Sequence, residues 1–298
     1  MSGGRTTVEV DGVRLTLSNL DKVMYPRHGF TKGEVIDYYA RIAPAMLPHV
    51  KDRPATRLRY PDGVEGQVFF EKNAPAHTPD WVRTACLPTP GGSREAVNFV
   101  VIDDLPTLVW CANLAALELH VPQWRVGPRG GEGEPALLVF DLDPGPPATI
   151  EDAREVACLL RDVLEAGGLR SFPKTSGKKG LHLYVPVKET SDRHTSAYAK
   201  EAARRLEKEH PRLVVSRMDK KLRSGKVFVD WSQNNRHKTT VAPYSLRAAE
   251  EPSVSTPVTW DEVDSGAELR FGPDEVRERV EQHGDLLEPL LTLRQKLP

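Results

Sequence analysis

A run of apolar residues that ends in two aspartates is the feature that most constrains this chain. The segment ALLVFDLDPG, residues 136–145, places Asp141 and Asp143 at the end of a hydrophobic stretch that Pro144 and Gly145 then terminate. The composition predicts a short strand bounded by turn residues. Alternate side chains of a strand share a face, so both carboxylates are expected on the same side. Two carboxylates that close repel each other unless a cation lies between them.

Two interpretations of this strand end are equally supported by the segment alone. One is a divalent-metal site, since hard cations take oxygen ligands. The other is a pair of solvated aspartates at a strand-to-turn junction, where Asp is common. A second apolar segment, KVFVDWSQN, ends in a single carboxylate, Asp230. Three acids at the ends of neighbouring strands can hold two metal ions for phosphoryl or nucleotidyl transfer, which favours the metal site. The alternative for Asp230 is a turn residue that caps the next segment.

Segments of helical and strand character alternate along the chain. A capping-box pattern at Thr31 and Glu34 predicts the start of a helix, and Thr149 precedes apolar residues at helical spacing that end at two glycines. Further helices are predicted for TSAYAKEAARRLEKEH, which runs into Pro211, and for the C-terminal segment, with a break near Gly284. Four strands are predicted: ALLVFDLD, LHLYVPV, LVVSRM and KVFVDWS. The last two are predicted to form a hairpin, and the whole pattern indicates an α+β architecture.

Composition limits how the chain can attract a ligand. Its 298 residues include 41 basic and 42 acidic side chains, for a formal net charge of −1. The chain therefore has no overall positive potential that would attract nucleic acid. Phosphate binding has to come from local clusters of basic side chains. The sequence has no stretch long and apolar enough for a membrane span, and no secretory signal pattern, so a cytoplasmic location is expected. The cysteines, Cys86, Cys111 and Cys158, are expected to be free thiols. RVGPRGGEGEP at 125–135 and LPTPGGSRE at 87–95 predict a linker or loops.

Three lysine-containing segments are candidate phosphate sites. In TSGKKGLHLYVP a glycine-flanked turn can expose backbone N–H groups, with Lys179 and His182 as donors; the alternative is a lysine-decorated hairpin. RMDKKLRSGK is either a solvated charged loop or a basic finger on a nucleic-acid backbone. In DKVMYPRHGFTKGE, Lys22 and Lys32 surround a loop that opens a capped helix, which makes either an anion site or an ordinary surface.

Two further residue types carry open interpretations. In VFFEK the adjacent Phe69 and Phe70 point to opposite sides of a strand, so one is predicted to be core and the other to be available for stacking on a base. His120, in ALELHVPQW, follows an apolar helix-like run. It is expected to be a structural histidine. The alternative is a functional histidine that contacts a substrate phosphate or a metal.

Taken in chain order, three segments resemble the motifs of the archaeo-eukaryotic primase superfamily: VFDLDPG, TSGKKGLHLYVP and KVFVDWSQNNRHKTTVAPYSLR. More closely, the chain resembles the polymerase domain of bacterial ligase D, which acts in non-homologous end joining. The resemblance covers nearly the whole chain. It implies a primase-type α+β fold with mixed and antiparallel sheets flanked by helices around a central active-site cleft. It also implies one primase-polymerase domain over residues 1–298, free-standing, with an N-terminal DNA-binding lobe at 1–125 and a catalytic lobe at 136–298.

The resemblance also implies a role for each motif residue. The metal-binding catalytic acids, for two Mn²⁺ or Mg²⁺ ions, would be Asp141, Asp143 and Asp230. The incoming nucleotide would be contacted by Ser176, Lys179, His182, His120, Arg247 and Phe70. The 5′-phosphate of a downstream DNA strand would be held by Asn19, Lys22 and Lys32. A mobile DNA-binding loop that helps to align broken ends would contain Arg223 and Lys226.

The chain departs from the family pattern in two places. Leu58 stands where a further basic residue is expected, and the LPTPGGSRE loop is short beside the loop that relatives use to pair ends. The second departure weakens the expectation that this chain synapses ends.

The predicted function is that of a DNA-dependent DNA and RNA polymerase that fills gaps and extends ends during non-homologous end joining. Its expected substrates are NTPs or dNTPs and DNA with a 5′-phosphate, its expected partners are Ku and a separate DNA ligase, and its expected location is cytoplasmic and nucleoid-associated. A gap-filling polymerase of excision repair is the alternative. Two less favoured alternatives are a haloacid-dehalogenase-type phosphatase, which shares the Asp-x-Asp strand end but expects Thr or Val near Pro144, and a non-catalytic end-binding scaffold.

Overall fold

Strands and helices alternate along the chain as the sequence predicts. The computed structural model describes residues 4–88 and 96–298. Its helices are α1 (Lys32–Val50), α2 (Leu105–Asn113), α3 (Ile150–Ala166), α4 (Asp192–Glu209), α5 (Trp260–Asp264), α6 (Pro273–His283) and α7 (Pro289–Thr292), with short 3₁₀ helices at Lys220–Leu222 and Trp231–Asn234.

The strands are β1 (Arg5–Val10), β2 (Val13–Ser18), β3 (Val23–Tyr25), β4 (Phe30–Thr31), β5 (Pro54–Arg59), β6 (Phe69–Glu71), β7 (Thr84–Pro88), β8 (Ala96–Val101), β9 (Ala116–Val121), β10 (Leu137–Pro144), β11 (Phe172–Thr175), β12 (Leu181–Pro186), β13 (Val214–Val215), β14 (Val227–Asp230), β15 (Thr240–Val241), β16 (Leu246–Arg247) and β17 (Ser253–Val254). Across the described ranges, no helix is both long and apolar enough to cross a membrane.

Two compact units divide the chain, and each is assembled from separate stretches. Unit 1 contains Met1–Glu132, Val241–Val254 and Phe271–Gly284, and unit 2 contains Gly133–Thr240, Ser255–Arg270 and Asp285–Pro298. The boundary between Glu132 and Gly133 falls within the glycine- and proline-rich segment 125–135. The greater part of the predicted loop LPTPGGSRE, residues 89–95, lies outside the described residues; Leu87 and Pro88 belong to β7.

Unit 1 is built on a sheet with the strand order β15-β9-β5-β8-β7, and β6 pairs with β5. The pairings of β5 with β6, β8 and β9, and of β7 with β8, are antiparallel. Helix α1 begins with the predicted capping box of Thr31 and Glu34 and buries a stripe that includes Tyr39 and Met46. Helix α1 lies against α2 and α6.

Unit 2 is built on a sheet with the order β11-β12-β10-β14-β13. Helix α3 follows Thr149, which caps its N-terminus, and precedes Gly167 at its C-cap. It packs with α4 against β10. A core on this sheet combines strand residues with α7 and the turn before it: Leu137, Val139, Tyr184, Leu287 and Leu290. The β10 strand is therefore the buried centre of unit 2, and its polar end is fixed by the apolar residues behind it.

The structure corrects the predicted hairpin. Strands β13 and β14 pair in parallel, not antiparallel. The connection between them contains the 3₁₀ helix Lys220–Leu222 and brings the chain back to the end of the sheet where β13 began. The basic segment with Arg223 and Lys226 is therefore a crossover loop and not a hairpin tip. Short strands separated by turn residues do not encode strand direction, which explains the error.

Two smaller predictions are also wrong. Phe69 and Phe70 are both exposed, at 40% and 61%, because β6 is a three-residue strand attached to β5 outside the main path of the sheet. Alternation separates the two rings without burying either. The apolar run before His120 is only partly helical: α2 ends at Asn113, and ALELHV is the strand β9.

Candidate active site

The strand register of unit 2 brings the predicted acids together. Asp141 lies directly opposite Asp230 on β14 and opposite His182 on β12. Residues directly opposite each other in a sheet present their side chains on the same face, so His182, Asp141 and Asp230 form a row across three strands. Asp143 is two residues further along β10 and shares that face.

Basic side chains lie against the acids of β10. The Nε2 atom of His182 is 3.3 Å from Asp141 Oδ1, and Lys179 Nζ is 3.2 Å from Asp143 Oδ1. Arg223 is further away, with NH1 3.9 Å from Asp143 Oδ2. The Asp141 and Asp143 side chains keep 27% and 39% of their surface exposed. Both carboxylates are thus accessible, and side-chain cations offset the repulsion that the sequence predicted.

Asp230 combines the two interpretations that the sequence left open. Its carboxylate caps the 3₁₀ helix that follows β14, since Oδ1 accepts hydrogen bonds from the backbone N–H and the hydroxyl of Ser232, at 2.9 and 2.6 Å. Oδ2 accepts a hydrogen bond from Gln233 at 2.8 Å. The same residue is a cap and the direct neighbour of Asp141. These bonds orient a carboxylate that would otherwise rotate freely.

The donor set of this row fits a divalent cation. Carboxylate oxygens are the ligands that hard cations prefer, and Asp141, Asp143 and Asp230 supply three carboxylates from adjacent strands. As they stand, no three acidic, histidine or cysteine side chains within residues 4–88 and 96–298 form a ready-made metal cluster. The acid oxygens are instead engaged with Lys179, His182, Ser232 and Gln233. A bound cation would therefore replace contacts that these oxygens now make.

The turn between β11 and β12 is fixed against the end of β10. Ser176 accepts hydrogen bonds through Oγ from the N–H groups of Lys178 and Gly180, at 3.3 and 3.0 Å. A Cβ atom at Gly180 would lie 2.1 Å from the carbonyl oxygen of Leu142, so only glycine permits this approach. Lys179 Nζ donates to the carbonyl of Pro144 at 2.9 Å. Ser176, Lys179 and His182 therefore lie beside the acid row.

The crossover loop packs on the Pro-Gly that ends β10. The N–H of Gly145 donates to the carbonyl of Lys226 at 2.9 Å, and a Cβ on Gly145 would lie 2.1 Å from the carbonyl oxygen of Arg223. The guanidinium of Arg223 stacks 3.6 Å from the centroid of the Phe228 ring. Lys226 points elsewhere, with Nζ donating to the carbonyl of Pro211 at 2.6 Å. Of the two predicted loop residues, only Arg223 approaches an acid.

A second group of predicted residues lies on the sheet of unit 1. His120 and Glu118 are alternate residues of β9, opposite Thr56 and Leu58 of β5, and Leu58 is opposite Phe70. All of these positions share one face.

Within this group Glu118 Oε2 lies 2.9 Å from His120 Nε2 and 3.4 Å from Arg247 Nε. The structure therefore brings His120 and Arg247 together through a buried carboxylate, with Phe70 exposed in the same row.

Glu118 and Thr56 are the polar members of this face that sequence reasoning missed. Glu118 is 1% exposed and Thr56 is fully buried, and Thr56 Oγ1 has no hydrogen-bond partner among the described residues. A signal for Glu118 was present, because Glu-x-His in an apolar segment has the same alternation as Asp-x-Asp in β10. The helix-like interpretation of the run before His120 concealed it.

The third predicted group surrounds the start of α1. The N–H of Lys22 donates to the carbonyl of Asn19 at 3.1 Å, and the N–H of Lys32 donates to the carbonyl of Lys22 at 2.8 Å. Lys32 is 5% exposed, and its Nζ donates to the carbonyl of Ser18 at 2.5 Å.

Burial, followed by the charges of Lys22 and Arg59, lowers the pKa of Lys32 to about 8. A buried ammonium whose charged form is disfavoured by two neighbouring cations, at a helix N-terminus, is suited to an anionic ligand.

Three features of unit 2 are typical of a primase-type nucleotidyltransferase. They are the acids at the strand ends, the lysine-containing turn between β11 and β12, and the mixed sheet. The model of the LigD primase-polymerase domain matches residues 31–287. The polymerase domain of Mycobacterium tuberculosis ligase D, solved in complex with DNA, superposes with a TM-score of 0.89 at 48% identity, over 93% of this chain and 98% of that one. The chain belongs to the LigD primase-polymerase domain family. The predicted family, α+β fold and enzyme class are confirmed, which excludes the phosphatase alternative.

Full-length relatives are much longer than this chain. The multifunctional non-homologous end joining DNA repair protein LigD of M. tuberculosis (strain H37Rv) is 49% identical over 283 residues, which cover 93% of this chain and 37% of the relative. The bifunctional non-homologous end joining protein LigD of Bacillus subtilis (strain 168) is 33% identical over 274 residues, or 91% of this chain and 43% of the relative. The chain thus spans well under half of these relatives.

Proposed function

We propose that this chain is a template-directed polymerase that adds nucleotides to a primer 3′-hydroxyl at gaps and broken DNA ends during non-homologous end joining. The observation that carries the proposal is the row of Asp141 and Asp230 on adjacent strands, with Asp143 on the same face, in a chain of the LigD primase-polymerase family. The proposed substrates are NTPs or dNTPs and DNA with a 5′-phosphate. Ku and a DNA ligase activity are the proposed partners.

The proposed metal ligands all lie in unit 2. In unit 2, Asp141, Asp143 and Asp230 would hold two Mn²⁺ or Mg²⁺ ions. When bound, such ions lower the pKa of the attacking hydroxyl and neutralise charge on the triphosphate. The primer oxygen forms a bond to the α-phosphorus, and the bond to the leaving pyrophosphate breaks.

The protein's own groups bind and orient the reactants. Lys179 and His182, now paired with acids of β10, are the proposed donors to nucleotide phosphates, with the Ser176 turn beside them. In unit 1, His120, Arg247 and Phe70 are the proposed nucleotide contacts.

The lysine cluster at α1 is the proposed end-binding site. Lys22, Lys32 and Asn19 would hold the 5′-phosphate of a downstream strand. The lowered pKa of Lys32 supports this role, because a bound phosphate dianion compensates the repulsion within the cluster.

Primer extension on a short gapped duplex tests the function. The assay compares NTPs with dNTPs, Mn²⁺ with Mg²⁺, and downstream strands with and without a 5′-phosphate. Asp141→Asn is expected to abolish addition, while Asp162→Asn, on the exposed face of α3, is the matched control. Absence of any addition by the wild type with either metal would refute the proposal. Comparing gapped duplexes with two separate ends in the presence of Ku distinguishes end joining from gap filling alone.

A further inference from the structure

Glu118 is a carboxylate that the site description leaves without a role of its own. It is 1% exposed and lies in the β9 strand, among apolar neighbours. A buried carboxylate is costly unless it is paired and fully hydrogen-bonded. Its contacts come from two separate parts of unit 1: His120 on its own strand, and Arg247 and Ala248 at the end of β16.

The two oxygens of Glu118 divide these contacts. Oε2 lies 2.9 Å from His120 Nε2 and 3.4 Å from Arg247 Nε. Oε1 accepts a hydrogen bond from the backbone N–H of Ala248 at 3.0 Å. One oxygen therefore holds two basic groups close together, and the other anchors the backbone that follows Arg247. The carboxylate is therefore a common partner for the imidazole of His120 and the guanidinium of Arg247.

The side chains of His120, Arg247 and Glu118 differ in the fraction of their surface that is exposed. His120 and Arg247 retain 17% and 13% of their side-chain surface, whereas Glu118 retains 1%. The basic groups can reach a ligand, and Glu118 lies behind them.

Two tyrosines near this group, Tyr60 and Tyr25, carry no charge at neutral pH. Burial, with an added contribution from Glu118 that Arg247 opposes, raises the pKa of Tyr60 to about 12. Burial also raises the pKa of Tyr25, whose hydroxyl donates to the Arg247 carbonyl at 3.0 Å. At neutral pH both phenols are therefore uncharged, and the ion-pair partners of Glu118 in this group are His120 and Arg247.

We propose that Glu118 is a positioning residue that holds His120 and Arg247 together as a paired anion-binding site for the phosphates of the nucleotide. The inference rests on the proposed function and assigns a part of it to a residue that touches no substrate. Removing the Glu118 charge then weakens the contacts that hold the two side chains in place and weakens nucleotide binding. A purely structural ion pair would change only the stability of the fold.

Glu118→Gln is the principal variant, because it keeps the shape of the side chain and an acceptor for the Ala248 N–H while it removes the charge. Losing one charge-assisted interaction predicts a rise of about tenfold in the KM for the nucleotide, with kcat changed much less. Glu118→Asp, which keeps the charge but shortens the side chain, should fall between Gln and wild type. If Glu118→Gln does not fold, Glu118→Asp carries the test.

The matched control is Asp103→Asn. Asp103 also accepts a hydrogen bond from a backbone N–H, that of Asp52 at 2.7 Å, and pairs with Arg83 at 2.5 Å, within unit 1. It contacts none of the proposed nucleotide residues. Its substitution removes a carboxylate charge and a backbone contact of the same kind and should leave the nucleotide KM at the wild-type value.

A double-mutant cycle with His120→Ala completes the experiment. If Glu118 acts through His120, then Glu118→Gln should raise KM much less in the His120→Ala background than in wild type. An active wild type whose KM is unchanged by Glu118→Gln, or changed equally by Asp103→Asn, overturns the inference and leaves the proposed function standing. A wild type that adds no nucleotide overturns the proposed function, and the inference with it.

Discussion

Replacing Lys32 with methionine should make the free protein more stable at pH 7 and less able to recognise a 5′-phosphate. The pKa of Lys32 falls from 10.5 to about 8 in the folded chain. That fall corresponds to about 3 kcal/mol of destabilisation at neutral pH. Methionine removes this cost but also removes the hydrogen bond from Nζ to the Ser18 carbonyl, worth about 1–2 kcal/mol. The net expectation is a gain of about 1–2 kcal/mol at pH 7.

The stability difference between Lys32→Met and wild type should depend on pH in a direction set by the two pKa values of Lys32. Between the folded pKa, near 8, and the unfolded value of 10.5, the unfolded chain binds more protons than the folded chain. The destabilisation by Lys32 is therefore fully present below pH 8 and is lost as the pH rises toward 10.5. The advantage of Lys32→Met should accordingly shrink and reverse as the pH rises.

Urea denaturation of both chains at pH 7 and pH 10 measures this difference. Titrations of other groups are common to both chains and cancel in the comparison. Lys188→Met, at an exposed position, serves as a control and should show no such pH-dependent difference. In primer extension, Lys32→Met should lose the preference for a 5′-phosphorylated downstream strand. A Lys32→Met chain that is less stable than wild type by the same amount at both pH values would refute the reasoning.

Three further substitutions test the unit 2 site. Asp141→Asn should reduce nucleotide addition by about a thousandfold or more, because it removes a charged oxygen ligand from the proposed metal site; single-turnover extension measures this, and retained activity contradicts the role. Gly180→Ala should destabilise the fold by about 1–3 kcal/mol, because the added Cβ would lie 2.1 Å from the carbonyl oxygen of Leu142. Thermal denaturation measures this, and an unchanged Tm would show that the turn can move. Asn234→Ala should lower the free energy of unfolding by about 2–3 kcal/mol. The buried amide forms hydrogen bonds with both the N–H and the carbonyl of Val139, each at 2.8 Å. Urea denaturation measures the change, and an unchanged stability would mean that β10 does not depend on these two bonds.

Much of the local structure follows from the sequence because its causes lie within a few residues. The capping boxes at Thr31 and Thr149 satisfy helix N–H groups from adjacent side chains, and such bonds do not depend on the rest of the fold. The end of β10 is equally local, because Pro144 and Gly145 stop the strand immediately after the acids. The shared face of Asp141 and Asp143 follows from alternation alone.

The predicted site residues illustrate the limit of that reasoning. Motif resemblance named His120 and Arg247, which are far apart in the chain, but not the buried Glu118 between them. Their proximity depends on β16 approaching β9, which only the fold provides. Similarly, Phe69 and Phe70 alternate as expected, but whether an alternating ring is buried depends on which elements cover the strand.

By itself the sequence determined the α+β class, the strand that ends in Asp141 and Asp143, and the capped helices around it. Only the tertiary structure decided that Asp230 lies opposite Asp141, that β13 runs parallel to β14, and that Gly180 contacts the Leu142 carbonyl. The physical reason is the range of the interactions. Capping and alternation are set by neighbours in the chain, whereas strand register, strand direction and backbone contact are set by packing between distant segments.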